Sequence, residues 1–203
     1  CYLGYLKASD LNKRYYKIKT YKHDMNSCLA FLLIKIANYQ PKLTLFDPYC
    51  GCGTILIEAA LYAKNITPLH LRKPNKKYDK IKKLKPKLIG FDPFLYNVKN
   101  TRINAKLAKV EKYLDLHNCQ IDWTETKLER NAIDLVITHL PRNQEKEFFT
   151  HIKNVITEEG KMIMLTTNRN LIINEKEYKL LEKRSAQVGD TIYHILTCSL
   201  KKI

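Results

Sequence analysis

Three aspartates in this chain have the chemistry and the spacing to bind the hydroxyl or amino groups of one ligand. Asp47, Asp92 and Asp122 each follow a short apolar run of the kind that forms a buried strand. The residues after parallel strands meet at the carboxyl edge of an open α/β sheet, where such folds bind ligands. A carboxylate offers only acceptors, so it suits a ligand with donor groups. Each aspartate is equally a common turn former or helix cap, and that alternative stays open.

The first aspartate leads into a glycine turn that is suited to close contact with a ligand. Residues 43–58 pass from an apolar run through Gly51 and Gly53 into a helical pattern. This order predicts a turn with open backbone N–H groups, and glycine lets a ligand approach closely. Leu56 stands where the dinucleotide fingerprint needs its third glycine, and no Gly-Lys-Ser/Thr is present. A nucleotide-like ligand without a polyphosphate fits this turn better than NAD or ATP, and a plain strand-to-helix connection is the alternative.

This stretch resembles motif I of the class I S-adenosylmethionine (SAM) methyltransferases. From Asp47 the chain reads Asp-Pro-Tyr-Cys-Gly-Cys-Gly-Thr-Ile-Leu-Ile-Glu-Ala-Ala. Within that class it is similar to the UPF0020-type branch, which modifies guanine N2 in RNA and often carries a THUMP domain. Tyr49 and Cys52 replace the usual Phe and Ser of that branch. The likeness is close over residues 43–68 and loose over residues 14–200.

The resemblance implies a SAM site at the turn and the strand ends. It implies that Asp47 lies near the methionine head, and that Asp92 accepts hydrogen bonds from both ribose hydroxyls. Asp122 would accept the adenine amino group, with Trp123 or Phe91 packed against the ring. The predicted cofactor-binding residues are Asp47, Pro48, Cys50, Gly51, Gly53, Asp92, Pro93, Asp122 and Trp123.

The segment after the fourth predicted strand is where the resemblance implies catalysis. Relatives usually have Asn or Asp there, followed by two prolines and an aromatic residue. The first side chain accepts the amine protons, and the ring stacks on a flipped base. This chain has His139, Leu140, Pro141 and Arg142 instead. A neutral histidine accepts one hydrogen bond, and an arginine can stack on a base or bind a phosphate. Two readings remain open, a variant catalytic loop and a loop that has lost catalysis.

The function implied by the resemblance is methyl transfer from SAM to the exocyclic N2 of a guanine in tRNA. The alternatives are a catalytically degenerate SAM-fold module that binds RNA, or a methyltransferase of adenine N6 or of protein. The chain begins at Cys1 rather than Met, and an upstream RNA-binding domain absent from this chain is expected. No apolar run is long enough to span a membrane, and a cytoplasmic location is expected.

The charge of the chain favours a polyanionic partner. Lys and Arg number 36 against 20 Asp and Glu, which gives a formal net charge of +16. Cations that bind phosphates displace condensed counterions, so this excess supports RNA, with lysine-rich composition for solubility as the alternative. The predicted RNA-binding residues are Arg14, Lys17, Lys22, Arg72, Lys76, Lys77 and Lys83.

The cysteines do not predict a metal site. Of the six, only Cys50 and Cys52 are close in sequence, and no second cysteine or histidine pair accompanies them. A structural zinc site needs such a second pair, so no metal is predicted. Reduced thiols of a cytosolic protein are the favoured interpretation.

Alternating strands and helices must position all of these residues. Strands are predicted at 43–47, 87–92, 119–121, 133–138, 161–166, 178–185 and 191–200, and helices at 25–38, 54–64, 94–109 and 143–157, the first capped by Asp24. This order predicts an α/β, Rossmann-like, doubly wound and mostly parallel sheet with a C-terminal antiparallel hairpin, which is the class I methyltransferase fold. Residues 1–40 are predicted to form a basic and aromatic segment plus a helix that packs on the core, and residues 41–203 are predicted to form the methyltransferase domain.

Overall fold

A seven-stranded mixed sheet with helices on both faces forms the protein. The computed structural model describes residues 12–21, 24–67 and 81–201. The strands are β1 (Leu45–Asp47), β2 (Leu88–Phe91), β3 (Leu114–His117), β4 (Ile133–His139), β5 (Ile156–Thr166), β6 (Tyr178–Val188) and β7 (Thr191–Leu200). The helices are α1 (Ser27–Ile36), α2 (Thr54–Lys64), α3 (Leu95–Leu107), α4 (Thr124–Lys127) and α5 (Glu145–Val155), with short 3₁₀ turns at Glu111–Tyr113 and Ile121–Trp123.

The strand order is β3-β2-β1-β4-β5-β7-β6. Strand β1 pairs in parallel with β2 on one side and β4 on the other. The order of strands therefore reverses between β1 and β4, and open α/β sheets bind ligands beside such a reversal. Strand β7 runs antiparallel to both β5 and β6. The predicted fold class, with its closing antiparallel hairpin, is confirmed.

Two hydrophobic clusters cover the two faces of the sheet. Leu45 of β1 packs with α1, α2 and α3, whereas the next residue, Phe46, packs with α5. Side chains that alternate between two buried faces explain why β1 is continuously apolar. Both faces are therefore covered, and the carboxyl edge of the parallel strands remains as the place for a site.

The third strand was predicted in the wrong place. It lies at Leu114–His117, and the predicted segment 119–121 leads into the 3₁₀ turn Ile121–Trp123. Strand β3 is the edge of the sheet, so Asp115 and His117 are tolerated within it and weaken its apolar signal. This shift brings Asp122 into a helical turn rather than directly after a strand.

The first helix begins later than predicted, and its cap is Asn26 rather than Asp24. The Asn26 side chain accepts hydrogen bonds from the backbone N–H groups of Cys28 and Leu29. Asp24 instead accepts a hydrogen bond from Thr54 Oγ1, at 3.2 Å. No helix in the described part of the chain is both long enough and apolar enough to cross a membrane.

Candidate functional site

A cleft of about 1020 Å³ opens at the carboxyl ends of β1, β2 and β4. Among the residues predicted for the site, those that line it are Asp92, Pro93, Asp122, His139, Leu140, Pro141 and Arg142. The structure therefore brings together residues of the predicted cofactor and catalytic sets. Asp47, Pro48, Cys50, Gly51, Gly53 and Trp123 lie outside the cleft lining. Tyr21, Asp24, Phe94 and Tyr193 also line it, and sequence reasoning did not assign them.

The glycine turn beneath the cleft is folded so that it bonds mainly with the protein itself. Gly51 and Gly53 have φ angles of +53° and +80°, in the left-handed region that favours glycine. The N–H of Cys50 donates to the carbonyl of Phe91 at 2.9 Å, and that of Gly53 to the carbonyl of Cys50 at 2.8 Å. The N–H groups of Tyr49 and Gly51 donate to aspartate side chains. The prediction that the N–H groups of this turn are open for a ligand is therefore wrong at these four positions.

Asp92 joins the glycine turn to the loop after β2. Its Oδ2 accepts a hydrogen bond from the N–H of Gly51 at 3.0 Å. Its Oδ1 accepts bonds from the N–H of Phe94 at 2.9 Å and from Asn97 Nδ2 at 3.0 Å. Burial raises the pKa of Asp92, and these three bonds oppose the rise. These bonds hold Asp92 in place, and because Oδ2 has accepted only one of them, that oxygen keeps one acceptor position for a ligand in the cleft.

Asp47 is a buried support of the turn rather than a wall of the cleft. Only 1% of it is exposed, and its Oδ1 accepts bonds from Thr138 Oγ1 at 2.7 Å and from the N–H of Tyr49 at 3.2 Å. Burial raises its pKa to about 7, with Thr138 and Tyr49 lowering it and Asp92 raising it. Asp47 thus links the ends of β1 and β4 beneath the cleft.

Polar residues of α3 fix the glycine turn from below. Thr101 Oγ1 donates to the carbonyl of Gly51 at 2.8 Å, and Asn104 Nδ2 donates to the carbonyl of Cys52 at 3.2 Å. A side chain at Gly53 would place its Cβ 2.4 Å from the Thr101 methyl group. Thr101 and Asn104 are fully buried on one face of α3, and the sequence did not assign them because their burial is visible only in the fold.

The segment before α1 reaches the cleft and contributes two of its walls. Asn104 exchanges hydrogen bonds with the backbone of Lys19, at 3.1 Å and 2.8 Å, which fixes this segment against α3. The ring of Tyr21 covers Gly51, so that a Cβ there would lie 2.8 Å from its Cε1. Asp24 is bonded to Thr54, the first residue of α2. Sequence reasoning missed both cleft residues because only the tertiary fold brings them to the turn.

The aromatic residues at the far end of the cleft differ from those expected. Phe91 is fully buried and packs edge-on against Phe46, with ring centroids 4.8 Å apart. It is therefore unavailable to a ligand. Trp123 is half exposed and lies outside the cleft lining, whereas Phe94 and Ile121 line the cleft beside Asp122. Phe94, exposed over 67% of its surface, provides the aromatic face at this end.

His139 and Tyr193 form the opposite wall. His139 ends β4, and its ring meets the ring of Tyr193 edge-on with centroids 6.0 Å apart. Tyr193 lies on β7, which reaches this position because β7 pairs with β5 beside β4. An aromatic ring therefore lies next to His139, although the loop after His139 has none. The chain separation of 54 positions between 139 and 193 hid this neighbour from sequence reasoning.

Leu140 and Arg142 of the predicted catalytic loop are hydrogen-bonded to β5 and to the loop after it. Leu140 is 1% exposed and packs in the cluster around α5, and its N–H donates to the carbonyl of Leu165 at 2.8 Å. Its side chain is therefore an anchor of the loop. Arg142 donates from Nε to Thr167 Oγ1 at 3.1 Å and from Nη2 to the carbonyl of Thr167 at 3.3 Å. These bonds connect the loops after β4 and β5.

Two of the predicted RNA-binding residues have structural partners instead. Arg14 Nε lies 2.7 Å from Glu58 Oε1, with 7% and 1% of the two side chains exposed, and Tyr16 donates to the same oxygen at 2.6 Å. Lys17 Nζ lies 3.3 Å from Asp24 Oδ2. Burial in these pairs makes both cations poor phosphate ligands. Lys83 is exposed, and Lys22, Arg72, Lys76 and Lys77 lie outside the described residues.

Residues 14–191 match the family model of the RMKL-like methyltransferase domain, UPF0020. The tRNA (guanine(6)-N2)-methyltransferase of Methanocaldococcus jannaschii is 25% identical over 94% of this chain and 58% of its own length. The enzyme of the same name from Archaeoglobus fulgidus is 26% identical over 88% of this chain and 46% of its length. The chain thus spans about half the length of these relatives.

Solved structures share the fold. TrmN from Thermus thermophilus superposes with a TM-score of 0.68 at 15% identity, covering 89% of this chain and 50% of that one. An RNA methyltransferase from Salinibacter ruber, solved with S-adenosyl-L-homocysteine, gives 0.59 at 13% identity over 92% and 96% of the two chains. These similarities support the fold, and the family match covers most of the chain. The chain belongs to the RMKL-like methyltransferase domain family, UPF0020.

Proposed function

We propose that this domain transfers a methyl group from SAM to the exocyclic N2 of a guanine in tRNA. The observation that carries the proposal is the similarity, over most of the chain, to two archaeal enzymes named tRNA (guanine(6)-N2)-methyltransferases. The arrangement of the cleft is consistent with this chemistry. Its two ends differ in character, with carboxylates and the glycine turn at one end and His139 with Tyr193 at the other.

The hydrogen-bond acceptors that line the cleft suit the hydroxyl and amino groups of SAM. Asp92 keeps one acceptor position for a ribose hydroxyl, because a carboxylate has about four acceptor positions and three are occupied. Asp122 is exposed in the cleft and would accept the adenine amino group, with Phe94 and Ile121 against the ring. The internally bonded glycine turn offers little to a polyphosphate. A bound SAM would supply a methyl group made electrophilic by its sulfonium sulfur.

Methyl transfer to an exocyclic amine needs a nitrogen lone pair aimed at the methyl carbon. The nitrogen–carbon bond forms as the carbon–sulfur bond breaks, and the nitrogen then gives up one proton. Positioning supplies much of the rate in such a displacement. A ring nitrogen of His139 would accept a hydrogen bond from the amine and, after transfer, the proton. Histidine is suited to this because its neutral ring accepts at one nitrogen.

Tyr193 is the residue that we assign to stacking on the target base. Enzymes that modify a base take it out of its stack and hold it against aromatic or apolar side chains. The loop after β4 has no aromatic residue, but the Tyr193 ring lines the cleft next to His139. In this proposal an aromatic residue of strand β7 stacks on the base, in place of the aromatic residue that such enzymes usually have in the loop after β4.

Binding of the RNA backbone is assigned to the basic surface of the chain. The net charge of +16 contrasts with a cleft whose described walls include Asp24, Asp92, Asp122 and Glu147. Of the predicted contacts, Lys83 is exposed and retains this role in the proposal, together with Lys22, Arg72, Lys76 and Lys77. Because these contacts are electrostatic, tRNA affinity should fall steeply with salt.

The proposal is tested with radiolabelled SAM and unmodified tRNA. The labelled tRNA is digested to nucleosides, and each labelled nucleoside is identified by chromatography. We expect label in N2-methylguanosine. Label in N6-methyladenosine would mean that the target base is adenine rather than guanine. SAM binding by calorimetry together with no label in any nucleoside would contradict methyl transfer and favour a module that only binds RNA.

A further inference from the structure

The backbone N–H groups of the glycine turn limit which charged groups can bind beside it. The N–H groups of Tyr49, Cys50, Gly51 and Gly53 all donate within the protein. An anionic group therefore finds no free donor at these four positions. The two carboxylates that flank this end of the cleft are Asp92, from the loop after β2, and Asp24, from the segment before α1. The local chemistry favours a cationic group.

Asp24 lies where such a group would meet it. Its Oδ1 accepts a hydrogen bond from Thr54 Oγ1 at 3.2 Å, so the carboxylate lies directly beside the start of α2. Tyr21 covers Gly51 and lines the cleft together with Asp24 and Asp92; burial raises the pKa of its hydroxyl, and the two carboxylates raise it further. Asp24, Tyr21 and the turn thus enclose one end of the cleft.

The Asp24 carboxylate is fixed in position. Lys17 Nζ lies 3.3 Å from its Oδ2, and the Lys17 ammonium also donates to the carbonyl of Met25. The pKa of Asp24 is raised by burial, and Lys17 and Thr54 oppose that rise by stabilising the anion. Oδ2 is buried, so the acceptor position for a further cation in the cleft is on Oδ1, beside the bond from Thr54.

We propose that Asp24 binds the α-ammonium group of the methionine part of the cofactor. This assignment rests on the proposed use of SAM and goes beyond motif I, since Asp24 lies in the segment before it. In this arrangement Asp24 and Asp92 bind two different parts of one ligand, the amino-acid head and the ribose. The ammonium of this zwitterionic head is matched to a carboxylate rather than to backbone N–H groups.

The test compares two ligands on the full chain by calorimetry. One is S-adenosylhomocysteine, and the other is its analogue with the α-amino group replaced by hydrogen. A hydrogen bond between charged groups predicts that the wild-type protein prefers the amino form by about 10- to 100-fold. Asp24→Asn should bind both ligands within about threefold of each other, because the neutral amide loses the charge that the ammonium selects. It keeps an acceptor for Thr54.

Asp122→Asn is the matched control. It removes a carboxylate at the adenine end, so it should weaken both ligands equally and keep the wild-type preference. Asp24→Asn with an unchanged preference would overturn the assignment, and so would a wild-type protein that binds the two ligands equally. The latter result needs no variant to fold. Failure of the proposed function gives a different pattern, in which the ligand preference depends on Asp24 but no tRNA is labelled.

Discussion

The two ends of the cleft differ in how strongly the protein itself fixes them. At the cofactor end, Asp92, Thr101 and Asn104 hold the glycine turn through hydrogen bonds from one loop and one helix. At the transfer end, the loop after β4 is anchored by the buried Leu140 and by the bonds of Arg142 to Thr167. The side-chain bonds that hold the turn are buried, whereas those of Arg142 are exposed.

This difference indicates which end can vary. A change at the cofactor end disturbs the fold and the ligand together, since the same bonds serve both. At the transfer end the exposed Arg142 can change at little cost to the core, whereas the buried Leu140 cannot. An exposed position such as that of Arg142 can therefore differ from the usual loop while the glycine turn stays intact.

Gly53→Ala should be the most damaging change at the cofactor end. The left-handed backbone at φ +80° is unfavourable for alanine, and its Cβ would lie 2.4 Å from the Thr101 methyl group. Together these effects should lower the free energy of unfolding by roughly 4 kcal/mol in urea titrations. Thr101→Ser removes that methyl group and keeps the hydroxyl, so the double variant should recover part of the loss. No recovery would mean that the clash is not the cause.

Asp92→Ala should remove detectable binding of S-adenosylhomocysteine, with an expected loss of at least about 100-fold. The variant loses the proposed ribose acceptor as well as the bonds from Gly51, Phe94 and Asn97. Calorimetry measures the affinity, and circular dichroism checks the fold. Asp92→Asn keeps part of the bonding and should have an intermediate affinity. Wild-type affinity in the alanine variant would contradict the ribose assignment.

Asp47 should make stability depend on pH. Its folded pKa of about 7 lies above the value of about 3.9 for an unfolded aspartate. The folded state therefore binds the proton more tightly, and its stability falls as pH rises from about 4 through 7. Between pH 5 and 8 the wild-type protein should lose about 2.5 kcal/mol more than Asp47→Asn, which keeps the oxygen that Thr138 and Tyr49 bond. Equal pH profiles would contradict this assignment.

Arg142→Ala should have the smallest effect on the fold. Its bonds to Thr167 are exposed, so the free energy of unfolding should change by less than about 1 kcal/mol. Binding of S-adenosylhomocysteine should stay within about twofold of the wild type, whereas transfer to tRNA should decrease. If this variant lost S-adenosylhomocysteine binding, the division of the cleft into a cofactor-binding end and a transfer end would be wrong.

Much of the cofactor end could be predicted from the sequence because its signals are local. The apolar runs before Asp47 and Asp92 and the glycines between them define strands and a turn within a few residues. The role of Asp47 was harder to predict, since Thr138 reaches it from 91 positions away. Strand β3 was misplaced because edge strands tolerate polar residues, which weakens the apolar signal.

The residues that sequence reasoning missed are those that come from distant segments. The segment with Tyr21 and Asp24 is fixed near the glycine turn by a hydrogen bond from Asn104 to the backbone of Lys19. Tyr193 lies beside His139 because β7 pairs with β5. Arg14 and Lys17 carry the charge expected of RNA ligands, but tertiary contacts pair them with Glu58 and Asp24. Charge in a sequence does not reveal which cations the fold buries.

The most direct test of N2 methylation uses two tRNA transcripts that differ by one exocyclic amino group. One has guanosine at position 6, the position in the names of the archaeal relatives, and the other has inosine, which lacks the exocyclic amine. Each is incubated with this protein and radiolabelled SAM under single-turnover conditions. If this protein shares the target of those relatives, N2-methylguanosine should form in the guanosine transcript and be absent from the inosine transcript. N2-methylguanosine in both would mean that another guanine is the target, and no N2-methylguanosine in either while S-adenosylhomocysteine binds would contradict the central claim.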